Sequence, residues 1–171
     1  HRLDRPTSGV VLFARTSKAL ARLNDMFKSH EQIRKTYWAI VQGAPKQPEA
    51  RLENYLVRNE KLNKSFIAKP GAQEAKLAIL TYRTLKTFEH YTLLEINLET
   101  GRHHQIRCQL AAIGCPIKGD LKYGAKRSNP DGGICLHARQ IAFEHPVSHD
   151  EIVITAPIPE DSIWQQLAPK L

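Results

Sequence analysis

The 171-residue chain is poor in cysteine: Cys108, Cys115 and Cys135 are its only three, and no two form a CxxC pair. That count argues against a disulfide framework and points to a reducing compartment. No run approaches the roughly 20 apolar residues of a membrane-spanning helix, so the chain reads as soluble and cytoplasmic. A Walker loop, GxGxxG and GxSxG are all missing, which removes support for a nucleotide cofactor or a hydrolase triad. The nearest His/Cys groupings, His103-His104 with Cys108 and Cys135-Leu136-His137, lack zinc-cage spacing. Repeats and low-complexity tracts are absent too. The first residue is not methionine, and the natural protein is expected to extend further.

What is present fits one domain, long enough to bury a core without staples. Twenty-five Lys and Arg outnumber seventeen Asp and Glu, for a net charge of +8 and a pI near 9.5. The excess is concentrated. Residues 1–37 hold eight basic side chains against Asp4, Asp25 and Glu31, and residues 99–127 hold six against Glu99 and Asp120. A field of this sign gathers polyanions, so nucleic acid is the expected partner. A membrane surface is the weaker option, because no long basic amphipathic helix is present.

Periodicity predicts a short buried strand at Gly9–Ala14, then a helix from Ser17 with Ala19, Leu20, Leu23 and Phe27 on one face, fading near His30. Lys35–Val41 reads as a strand rich in aromatic and β-branched residues. Residues 51–70 read as a strand pair or an excursion with polar, basic turns. Ala75–Lys86 and Tyr91–Glu99 alternate and should form an antiparallel hairpin. Thr100 is placed to cap a helix over Gly101–Ile113, with Ile106, Leu110 and Ile113 buried. Strands at Ile134–Phe143 and Glu151–Thr155 and a helical turn at Ser162–Leu167 complete the pattern. Strands joined by hairpins, with few helices, predict an α+β fold built on a mixed, mainly antiparallel sheet with flanking helices.

Three features carry chemistry on their own terms. Asp4 sits between Arg2 and Arg5, and a carboxylate held by an arginine stays ionised and available as nucleophile or base. Such a pair is more often a surface ion pair. His103, His104 and Arg107 fall on one face near a helix start, where amide dipoles add positive charge; a solvated basic face is the plain alternative. Tyr37 lies on the strand face opposite Trp38, where it could stack on a base or simply pack in the core.

His1-Arg-Leu-Asp-Arg-Pro-Thr-Ser-Gly9 resembles the HRLDxxTSG signature of the RluA-type pseudouridine synthases. Lys35-x-Tyr37-x-Ala39-x-Val41, Gly101-Arg-His-His-Gln-Ile-Arg107, Gly119-Asp-Leu-Lys-Tyr-Gly124 and Leu136-His-Ala138 resemble further motifs of that family, in order. The resemblance implies the pseudouridine synthase catalytic fold and an enzyme that isomerises uridine within ribosomal or transfer RNA. It implies Asp4 as catalytic aspartate, Arg107 as its ion-pair partner, and Tyr37 against the uracil, with a share in removing the C5 proton. Arg2 would fill the space left by the flipped nucleotide. His104, Ile106 and Leu136 would contact RNA or base, the last two as apolar walls. No cofactor or metal is implied, and a monomer is expected.

The chain departs from the family in two places. An upstream KPxG strand and a preceding RNA-binding domain are absent from residues 1–171, which read as a single catalytic domain. Asp4, so near the first residue, is therefore expected to need a strand outside the chain to hold it. Cys108-Gln109 follow Arg107 where an aliphatic residue and His are usual, and should be tolerated because they lie off the Arg107 face. Two other functions compete. A non-catalytic RNA-binding module would explain the charge but not Asp4, Tyr37 and Arg107 together. A nucleoside or glycoside hydrolase needs a second carboxylate, for which Glu99 or Asp120 would have to serve.

Overall fold

The computed structural model describes residues 2–29 and 32–167. His1, the first residue of the HRLDRPTSG motif, and His30, where the first helix was expected to fade, lie outside the described residues.

The strands are β1 (Ser8–Gly9), β2 (Ile33–Gln42), β3 (Glu49–Asn59), β4 (Lys64–Ala68), β5 (Lys76–Thr87), β6 (Tyr91–Leu98), β7 (Leu136–Glu144) and β8 (Glu151–Thr155). The helices are α1 (Ser17–Ser29), α2 (Gln105–Ala112) and α3 (Ser162–Leu167), with a 3₁₀ turn at Leu121–Tyr123. All eight strands join one sheet in the order β1-β7-β2-β6-β5-β3-β4, with β8 also on β7. The β1–β7 pairing is parallel and the others are antiparallel, so the fold is α+β with a mixed, mainly antiparallel sheet.

β2 lies between β6 and β7 because its sequence suits a central strand. Trp38, Ala39, Ile40 and Val41 run without a polar break and are all buried, as in a strand covered on both faces. They pack with Leu80, Leu93, Leu94, Ile96, Ile106 and Leu110, and with Trp164 and Leu167 of α3. The expected hairpins are present: β3 pairs β4 and β5 pairs β6.

Four expectations change. Of Gly9–Ala14, only Gly9 lies in a strand, because β8 already occupies the edge of β7 from Gln140 to Glu144. Val10 and Leu12 still pack inward against Ile33, Ile141 and Phe143, while Phe13 is 86% exposed. Leu20 is exposed rather than buried, since α1 meets the sheet only through Leu23, Met26 and Phe27. Thr100 is not a helix cap. Its hydroxyl accepts from the Ile79 amide (2.8 Å) and donates to Gln105 Oε1 (2.8 Å), and α2 starts only after His104 at φ 51°. Ile113 therefore falls at the helix end, half-buried, while Ile106 and Leu110 are buried as expected.

Cys108 and Gln109 are both buried, and Gln109 Nε2 donates to Asn54 Oδ1 (2.8 Å) and the Ala78 carbonyl (3.2 Å).

Candidate active site

The HRLDRPTSG segment folds as a turn strapped to β7. The Thr7 amide donates to the Asp4 carbonyl (2.9 Å), and the Ile134 amide donates to the Pro6 carbonyl (3.1 Å). Ser8 Oγ lies 2.8 Å from His137 Nδ1, and Ser8 and Gly9 register against His137 and Ala138. Gly9 is required for this seat: its φ is +115°, and a Cβ there would stand 2.3 Å from the Ala138 carbonyl oxygen. Asp4 thus sits in a turn that is seated on β7 of its own chain.

Arg107 reaches Asp4 from α2, one turn after the left-handed His104. Its Nη1 lies 3.4 Å from Asp4 Oδ2, and Asp4 is half-buried. The closer partner is Asp120, which accepts from Nε (2.7 Å) and Nη2 (2.8 Å) in a buried bidentate pair. The guanidinium also lies 5.1 Å from the centre of the Tyr123 ring. Asp120 and Tyr123 both come from the Gly119–Gly124 motif, which therefore backs Arg107 rather than entering the cavity. From sequence Tyr123 had no role and Asp120 only that of second carboxylate under the hydrolase alternative, although their motif was visible; its closeness to α2 was not.

His104 also departs from expectation. Burial pushes its pKa down to about 4, against an upward pull from Asp4, so the ring is neutral near pH 7 rather than cationic. Nε2 accepts from Arg107 Nη1 (3.1 Å), and Nδ1 is 3.0 Å from the Tyr123 hydroxyl. Its Nε2 is 3.7 Å from Asp4 Oδ2. His103 does not share this face; it turns to Ser65 Oγ (2.9 Å) and Asn63 Oδ1 (3.1 Å) and stacks on His104.

These groups open on a cavity of about 270 Å³. Asp4, Tyr37, Arg107, Arg2, His104, Ile106 and Leu136, the seven residues singled out from sequence, all line it. Thr7, Lys35 and Arg102 line it too; all three lie within the quoted motifs but were given no role of their own, and Phe27, expected only to pack, joins them. Tyr37 is pushed up to about 12 by burial and then by the Asp4 charge, so its phenol keeps its proton at neutral pH. Among the described residues no three His, Cys, Asp or Glu side chains cluster as metal ligands. No described helix is long and apolar enough to cross a membrane.

The architecture matches solved structures. The human protein named RNA pseudouridylate synthase domain containing 4 superposes with a TM-score of 0.80 over 96% of this chain and 72% of its own, at 24% identity. The human protein named RNA pseudouridylate synthase domain containing 1 gives 0.73 over 92% and 67%, also at 24% identity. At that identity the likeness defines the class of fold, the α+β pseudouridylate synthase domain.

The family model for RNA pseudouridylate synthases matches residues 1–112, and the chain belongs to that family. It is 34% identical over 161 residues to a Bacillus subtilis protein described as the uncharacterized RNA pseudouridine synthase YlyB, across 94% of this chain and 52% of that one. It is 36% identical over 186 residues to tRNA pseudouridine synthase C of Vibrio parahaemolyticus, across 98% of this chain and 73% of that one. The chain thus spans about half the first relative and about three quarters of the second.

Proposed function

We propose that this domain isomerises a uridine within RNA to pseudouridine. The N1–C1′ bond breaks, a C5–C1′ bond forms, C5 loses its proton and N1 gains one; the change is redox-neutral. The observation that carries this reading is the meeting of Asp4, Tyr37 and Arg107 in one small cavity with Arg2 at its exposed edge. The volume of about 270 Å³ falls just below the roughly 300–1,000 Å³ of drug-sized ligand pockets, so it suits one flipped nucleoside rather than a duplex.

Asp4 acts at the ribose, and Arg107 holds it aimed. Tyr37 lies against the uracil. Because its phenol is protonated, it can take the C5 proton only as its own proton moves on, and Asp4 is the carboxylate whose charge reaches it. Ile106 and Leu136 form apolar walls that limit water, so the freed base rejoins C1′ instead of being lost to hydrolysis. Arg2 enters the stack vacated by the base. Ribosomal and transfer RNA both suit a basic mouth, and the relative named tRNA pseudouridine synthase C makes transfer RNA the first to test. The reading includes a monomer acting in the cytoplasm.

The test is release of tritium from RNA labelled at uridine C5. The wild type is expected to release it, and Asp4→Asn to release none while binding RNA within about threefold, since Asp4 is not a phosphate contact. Equal release from Asp4→Asn would remove Asp4 from the chemistry. Free uracil as product would make the domain a hydrolase.

A further inference from the structure

Lys35 stands on β2 two residues before Tyr37, on the same strand face. Its side chain is only 8% exposed, and it forms part of the same cavity wall as Asp4, Tyr37 and Arg107. Among the described residues it has no hydrogen-bond or ion-pair partner. Burial pulls its pKa down, and no carboxylate, Asp4 included, pushes it back.

Lys35 Nζ is not among the fully buried polar atoms without a partner, so this unpaired ammonium keeps contact with the cavity, where an anion can meet it. The carboxylates near the cavity are already engaged by Arg107, Asp120 in a bidentate pair and Asp4 at 3.4 Å. A uracil carbonyl is neutral and cannot balance the charge. Residues two apart on one strand face are separated by about 7 Å, a spacing comparable with the reach from a base to the phosphate of its own nucleotide. We propose that Lys35 binds a phosphate of the nucleotide whose uracil lies against Tyr37. The assignment rests on reading this cavity as a uridine site.

Calorimetric titration of the full chain with uridine 3′,5′-bisphosphate and with uridine tests it, in the wild type, Lys35→Met and Lys35→Arg. The wild type should bind the bisphosphate at least about tenfold more tightly, the scale of one charge-assisted hydrogen bond. Lys35→Met should lose about tenfold for the bisphosphate and leave uridine unchanged, and Lys35→Arg should restore most of the difference. The Met variant should melt no lower than wild type, because it removes an unpaired charge and keeps the apolar stem; a lower melting point would reveal a structural role and overturn the proposal. Equal weakening of both ligands would place the ammonium on the base instead. An unchanged bisphosphate affinity would transfer the phosphate to Arg2 or Arg102, and no preference for bisphosphate in the wild type would remove the subsite. Absence of tritium release alongside an intact, Lys35-dependent bisphosphate preference would sink the isomerase reading alone.

Discussion

Asp120 grips the Arg107 guanidinium through two hydrogen bonds of 2.7 and 2.8 Å, whereas Asp4 meets it at 3.4 Å. The buried carboxylate fixes the plane and position of the guanidinium, and the remaining Nη1 faces Asp4. His104 shares that nitrogen at 3.1 Å and is itself tied to Tyr123. Arg107 therefore arrives at Asp4 already oriented, which is the condition for holding a reactive carboxylate without rearrangement.

Removing Asp120 should expose this dependence. Asp120→Ala leaves a buried guanidinium without its main counter-charge and should cost about 3–5 kcal/mol, read as a lower denaturation midpoint. Asp120→Asn keeps the shape and one acceptor. It should fold, and lose about 100-fold in turnover, the scale of a roughly 1 Å misplacement, while RNA affinity changes little. Wild-type turnover in Asp120→Asn would show that Asp4 alone positions Arg107.

The neutral His104 makes stability depend on acid. Its folded pKa is about 4, below the ordinary value of 6.5, so between these values the unfolded chain binds more protons. Stability from this group is therefore full above about pH 6.5 and falls as pH drops toward 4, where the ring charges beside Arg107. Burial lowers His103 and His137 as well, so the measurement is a difference. Denaturant midpoints between pH 7 and 4 should fall less steeply in His104→Gln than in wild type. Parallel slopes would mean that His104 ionises normally.

Gly9→Ala should unseat the Asp4 turn. The new methyl would collide with backbone of β7 at 2.3 Å, and φ +115° is strained for any L residue. The expected loss is about 2 kcal/mol or more in stability, with tritium release falling further than the unfolded fraction explains. Gly43→Ala is the control, since its φ is +71° but a Cβ there meets nothing within 4 Å.

By itself the sequence determined the local elements and the class of fold. Alternation in Tyr91–Leu98 and the unbroken apolar run of Trp38–Val41 are properties of neighbouring residues, so β6 and the central β2 were legible without a partner in view. The motifs also marked seven residues, from Arg2 to Leu136, that line one cavity. Only the tertiary structure decided how those residues are charged and held. The edge taken by β8 cut the strand expected at Gly9–Ala14 to its first residue, because pairing depends on which edge is vacant. Arg107 chose Asp120 as its closer partner, His104 lost its proton, and Lys35 was left without an anion. Each outcome turns on which groups share a space of low dielectric, where charges must be paired or neutralised, and spacing along the chain does not encode that.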